Sequence, residues 1–184
     1  MLIDLTLAVT PEIANDPVHS KPNIIGHIGT HYDVMNKTFP LEYTKRKGIV
    51  FDISDISDRD IELSDIDISK VEKDLFVAFC SGYTDRVGYG KEGYFSNHPQ
   101  LSHELIDKLV EKGVSLIALD FPGIRRGKEH TPKDQFCADN GVFIIENLIN
   151  LKMLLKHGEI FTAHTYPMNL VGISGLPCRV IAEI

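Results

Sequence analysis

Three short, unbroken apolar runs constrain this chain most. "LFVAFC" (75–80), "VSLIALD" (114–120) and "GVFIIEN" (141–147) are each bounded by polar or turn residues. Runs of this length without alternation suit strands buried on both faces. "LIDLTLAV" (2–9) alternates with period two, and "GIVFDIS" (48–54) adds another β-rich run. "MNLVGISG" (168–175) and "CRVIAEI" (178–184) read as a closing pair of strands that turns at "LP".

Helical patterns lie between these runs. In "LSHELIDKLVEKG", Leu101, Leu105, Ile106, Leu109 and Val110 make one apolar stripe, and Gly113 suits the stop. In "HTPKDQFCADNG", Thr131 is the expected N-cap, with Pro132 at the first helical position and Asp134 at the third, a capping-box spacing. "ENLINLKMLLKHG" (146–158) carries a third amphipathic leucine pattern. Strands before and after each helix predict an α/β fold, a mixed strand-rich sheet with flanking helices. With no repeat and no low-complexity linker, the 184 residues form one expected domain, 1–184. The Asp-rich stretch 51–74 lacks the glycine and closing glutamate of an EF-hand loop and reads as solvated strand and turn.

Charge and composition exclude some partners. The net charge of −7 and pI near 5.6 repel phosphate backbones, so nucleic acid is not an expected partner. The basic run "RRGK" (125–128) is a short local exception that reads as a solvated loop. No apolar stretch approaches the ~18–20 residues needed to span a bilayer. Cys80, Cys137 and Cys178 are widely spaced and suggest no disulfide framework. The opening "MLIDLTLAVTPEI" carries early acids and lacks a basic leader region, so a reducing cytoplasm is the expected location.

The chemistry concentrates in "HIGTHYD", where His27, His31 and Asp33 fall within seven residues. Gly29, Thr30 and Ile28 disfavour a helix. On an extended chain His31 and Asp33 would be ~6.6 Å apart on one face, within reach of a single ion. His27 and His31 would be ~13 Å apart unless the chain bends, and Gly29 is placed where it can bend. The three are either packing and surface residues or a bent strand edge holding a divalent ion. Two imidazoles and a carboxylate suit Zn²⁺ or Mn²⁺ with positions left for water.

These residues resemble the cyclase family of metal-dependent hydrolases, which includes bacterial-type kynurenine formamidase and isatin hydrolase. "HIGTHYD" matches every fixed position of the family's His-x-Gly-Thr-His-x-Asp motif. "IDLTLAVTPEI" is similar to its first strand, "SLIALDFPGI" to its central strand ending in Asp120, and "GVFIIENLINL" to its late glutamate segment. "YPMNLVGISGLPCRVIAEI" resembles its terminal block. The resemblance implies a swivelling β/β/α-like fold and one or two divalent ions, Zn or Mn. It implies that His27, His31, Asp33 and Glu146 are ligands, with Asp33 able to bridge. It also implies hydrolysis of a small amide, N-formyl amide or cyclic amide by a metal-activated water, and a homodimer or homotetramer.

Two positions depart from the family pattern. Lys37 stands four residues after Asp33, where the family usually places a histidine. Asp134 stands twelve residues before Glu146, where many relatives place a histidine ligand. Asp134 is therefore either a ligand or the partner of the Thr131 cap. His130, four residues earlier, is a candidate for the missing imidazole and, with Lys37, for the catalytic proton carrier. Thr30 is a nearby polar group of unknown direction. His164, in "TAHTYP", reads as a packing or surface histidine. There is no Gly-x-Ser-x-Gly elbow, since "GISG" (172–175) is too short for one. The alternative to an enzyme is a metal- or small-molecule-binding protein that has lost catalysis on the same fold, a reading favoured by Lys37.

Overall fold

The computed structural model describes residues 1–8 and 26–184. Eight strands form one mixed sheet: β1 (Leu2–Asp4), β2 (His31–Asp33), β3 (Lys45–Asp52), β4 (Phe76–Cys80), β5 (Leu116–Leu119), β6 (Phe143–Glu146), β7 (Ile160–Pro167) and β8 (Gly175–Glu183). The order is β1-β8-β2-β6-β5-β4-β3-β7, and β7 pairs again with β8, so seven strands close into a barrel. The three constraining runs lie in β4, β5 and β6 and are parallel to one another and to β3. β2 and β7 run antiparallel to their neighbours and complete the circuit. The last residue of "LIDLTLAV" and the last five of "IDLTLAVTPEI" lie outside the described residues.

The unbroken apolar runs follow from burial on both faces. Phe76, Ala78, Leu116, Ala118, Phe143 and Ile145 point inward with Tyr32, Val50, Phe161 and Val180, residues from all seven barrel strands. The alternate residues Val77, Phe79, Ile117, Leu119 and Ile144 pack outward under the helix carrying Leu105, Ile106 and Leu109. Helix α1 spans Tyr83–Val87, α2 His103–Glu111, α3 His130–Asp139 and α4 Leu151–Leu155. Ser102 caps α2 by accepting from Leu105 N. Asp120, just past β5, accepts from Ser81 N, Ser81 Oγ and Gly82 N, which pins the turn after β4. No helix among the described residues is long and apolar enough to cross a membrane.

Three local expectations are corrected. Thr131 does not cap α3. A 3-10 turn over Gly127–Glu129 runs straight into the helix at His130, whose N–H already bonds Gly127 O, so helical bonding begins before Thr131. Pro132 is still tolerated, because the first turn leaves its missing N–H without consequence. The third helix does not extend over "ENLINL": Asn147 and Asn150 adopt left-handed φ of 60° and 62°, and only Leu151–Leu155 is helical. The closing hairpin does not turn at "LP". β8 runs through Leu176 and Pro177, and the turn lies over 168–174, where Gly172 has φ 81°. Pro177 fits in the strand as a register partner of His31, and its carbonyl accepts from Met168 N at 2.9 Å.

Candidate metal centre

The site lies at the carboxyl end of the parallel strands, where open α/β sheets place their ligands. β6 alternates inward Phe143 and Ile145 with outward Ile144 and Glu146. β2 sends Tyr32 inward, so His31 and Asp33 share the outer face with Glu146. Helix α3 crosses that face and presents His130 and Asp134 one turn apart. The predicted bend is real: Gly29 has φ 63° and returns His27 toward His31, with ring centroids 4.9 Å apart.

The cluster is tight. His31 Nε2 lies 3.5 Å from Glu146 Oε2 and 3.7 Å from Asp33 Oδ1. His27 Nδ1 is 2.9 Å from Asp33 Oδ1. His130 Nε2 is 3.1 Å from both Asp134 Oδ2 and Glu146 Oε1. One ligand atom each from His27, His31 and Asp33 falls within a 4.8 Å span, and so does one each from Asp33, His130 and Asp134. A cavity of about 240 Å³ opens onto His27, His31, His130 and Glu146, with Phe95, Pro122 and Asn147 on its other walls.

The donor set fits a cation. Among the described residues, three buried side-chain atoms lack any hydrogen-bond partner: His31 Nε2, Asp33 Oδ2 and Asp134 Oδ1. All three belong to this cluster, and a buried unpaired polar atom costs about 1–3 kcal/mol unless something satisfies it. The arrangement makes sense once a positive ion accepts lone pairs from three carboxylates and the imidazoles.

The electrostatics point the same way. Burial raises the Asp33 carboxyl, but the His27 hydrogen bond and the neighbouring imidazoles outweigh it and lower the pKa to about 2. Burial and the Asp33 charge push Asp134 well up. The same two causes raise Glu146. Burial would depress His130, yet its Glu146 hydrogen bond and the charges of Glu146, Asp134 and Asp33 push it up to about 10. For His27 too, burial is outweighed by Asp33 and the direction is upward. Protons thus neutralise part of the crowded negative charge.

Of the sequence candidates, His27, His31, Asp33, His130, Asp134 and Glu146 come together. Lys37 does not join them: its Nζ lies 2.6 Å from Asp139 Oδ1 in a largely exposed ion pair. Asp134 is turned inward to His130 rather than back to a cap. Thr30 accepts from Leu7 N and donates to Asn147 O, so it bonds backbone and not an imidazole. His164 pairs with Glu183 across β7 and β8, away from the cluster. The sequence reading missed Asn147 and Ser174. Ser174 Oγ is 2.9 Å from His27 Nε2. The only available signals were the asparagine directly after Glu146 and the Gly-Ile-Ser-Gly run set aside as too short for an elbow.

Comparison with known proteins bears on the family and the fold. The family model described as "Putative cyclase" (Cyclase) matches residues 3–125. Among solved structures, a potential metal-dependent hydrolase with cyclase activity is 22% identical with a TM-score of 0.75, covering 99% of this chain and 96% of its own. A predicted metal-dependent hydrolase from Bacillus stearothermophilus is 21% identical with a TM-score of 0.74, covering 99% and 97%. Isatin hydrolase A from Ralstonia solanacearum is 17% identical with a TM-score of 0.79, covering 99% and 91%. No curated protein matches the chain.

Proposed function

Because the chain belongs to the Cyclase family, we propose that it is a metal-dependent hydrolase. Its substrate in this reading is a small amide, N-formyl amide or cyclic amide. One observation carries the reading: three unpartnered buried atoms, on His31, Asp33 and Asp134, converge beside a cavity. His27, His31, Asp33, Asp134 and Glu146 would hold one or two divalent ions, Zn²⁺ or Mn²⁺, with Asp33 close to both the His27–His31 pair and Asp134. An ion held there supplies Lewis acidity toward a water and a carbonyl oxygen.

The chain's own groups do the rest. His130 lines the cavity, is about one third exposed, and shares its Nε2 with two carboxylates. In this reading, once a bound cation offsets the carboxylate charge that keeps the ring protonated, His130 carries a proton from the attacking water to the leaving nitrogen as the new C–O bond forms and the C–N bond breaks, a role typically worth ~10²–10⁴-fold. Glu146 and Asp134 hold the imidazole in line. Lys37, occupied by Asp139, takes no part in this scheme. The acidic charge and three buried free cysteines support a cytoplasmic protein acting on a small molecule. Light scattering tests the accompanying proposal of a homodimer or homotetramer.

The test strips the protein with chelator, reloads it with Zn²⁺ or Mn²⁺, and assays N-formyl amides, lactams and cyclic imides. Turnover that needs the ion and disappears in His31→Ala supports the reading. Stoichiometric ion binding with no turnover of any of the three classes replaces it with the binding-protein reading.

A further inference from the structure

Asn147 follows Glu146 directly and is 1% exposed. Its φ of 60° is left-handed, a region where asparagine is better tolerated than most residues. This turn ends β6 just where the β2–β6 ladder ends, at the His31–Glu146 pair. Beyond that pair, side chains replace the ladder. Thr30 Oγ1 donates to Asn147 O at 2.8 Å, and Asn147 Nδ2 donates to Gly29 O at 3.0 Å. Tyr94 Oη donates to Asn147 Oδ1 at 2.7 Å. A phenol donor on one side and a carbonyl acceptor on the other fix which way the amide points.

Gly29 O has a second donor. His31 Nδ1 lies 2.9 Å from it. A carbonyl only accepts, so Nδ1 carries the proton, and in the neutral ring that leaves the lone pair on Nε2. That Nε2 is one of the three unpartnered buried atoms. One carbonyl oxygen therefore joins the Asn147 amide to the His31 tautomer. Gly29 sits at φ 63°, in a conformation where glycine leaves the peptide free to rotate, and the amide restrains it.

We propose that Asn147, oriented by Tyr94, is a positioning residue for a divalent cation: it holds the Gly29 carbonyl so that His31 stays the Nδ1–H tautomer with Nε2 turned to Asp33 and Glu146. The inference rests on the metal-dependent reading above. Groups that orient a ligating histidine through its other nitrogen typically change metal affinity 10–100-fold when lost.

Two variants separate this role from simple packing. Asn147→Gly keeps a backbone at ease with left-handed φ and discards the amide. Tyr94→Phe keeps the ring and discards the hydroxyl that sets the amide's direction. Each full-length protein is titrated with ZnCl₂ by calorimetry. The His31 tautomer is read by ¹⁵N NMR on chelator-treated protein, and a thermal melt reports the fold. The expected result for Asn147→Gly is Zn²⁺ affinity lowered at least ~10-fold and a mixed His31 tautomer. Tyr94→Phe should shift both in the same direction by a smaller factor. Zn²⁺ affinity within about twofold of wild type, with His31 still fully Nδ1–H, overturns the proposal. If Asn147→Gly fails to fold, Tyr94→Phe decides by the same criterion. A wild-type protein that binds neither Zn²⁺ nor Mn²⁺ defeats the metal reading instead, and the tautomer in the chelated variants still tells whether Asn147 orients His31.

Discussion

His31 and Glu146 stand opposite each other in register across β2 and β6, and their side chains meet at 3.5 Å between Nε2 and Oε2. An antiparallel ladder thus joins the first and last blocks of the candidate site, 115 positions apart in sequence. The pairing delivers an imidazole and a carboxylate to one face without needing either loop to find the other.

Asp134→Asn should separate stability from binding. The Asp134 carboxyl is pushed well up by burial and by the Asp33 charge, so replacing it with an amide relieves crowding in chelator-treated protein. The expected outcome is a higher Tm without metal together with Zn²⁺ affinity lowered by ~10-fold or more. Calorimetric titration and a thermal melt on the same preparation check both halves. A lowered Tm with unchanged affinity would return Asp134 to a merely structural role.

His130→Ala should lower kcat by ~10²-fold or more while metal content stays near wild type, if the imidazole carries the proton. Metal analysis alongside turnover makes the distinction. Loss of metal would instead make His130 a ligand. Calorimetry of the wild type in two buffers of different ionisation enthalpy should also show proton release on metal binding, because His130 is pushed up to about 10 by Glu146 and its neighbours against the effect of burial.

His98 should impose an acid limit on stability. Its ring is 2% exposed and stacks on Phe121, and Nδ1–H donates to Pro99 O at 2.7 Å. Burial lowers its pKa from 6.5 to about 4. Between those values the unfolded chain binds a proton that the folded chain does not, so stability rises with pH there. It is complete above pH ~6.5 and falls by about 3 kcal/mol as pH drops to ~4. Urea denaturation at several pH values checks the slope, and His98→Gln should flatten it.

Gly175→Ala should damage the centre through backbone packing. A Cβ there would lie 2.6 Å from Gly26 O and 2.8 Å from His27 Cδ2. The loop bearing His27 must move, at a cost of roughly 1–3 kcal/mol for overpacking. Reduced Zn²⁺ affinity beside a lowered Tm is the expected pair of readouts. Unchanged affinity would show that His27 is dispensable for ion binding.

By itself the sequence determined the parts that depend on neighbours along the chain. Continuous apolar runs made β4, β5 and β6 recognisable because strands buried on both faces have no polar side to display. The spacing in "HIGTHYD", with a glycine where the chain must bend, put two imidazoles and a carboxylate together because the bend is local. The α2 stripe was legible for the same reason. What only the tertiary structure decided were relations between distant segments. Barrel closure depends on β7 meeting β8 and β3, and β7 carries a mixed pattern with Thr162, His164 and Tyr166 on its outer side. Asp134 looked equally like a cap until the 3-10 turn at Gly127–Glu129 began the helix early and turned the carboxylate inward. Lys37 was a catalytic candidate by position until Asp139, at the far end of α3, proved to be its partner. Asn147 and Tyr94 carry no motif, since hydrogen bonds spanning 53 and 118 positions leave no local pattern and exist only once the barrel has closed.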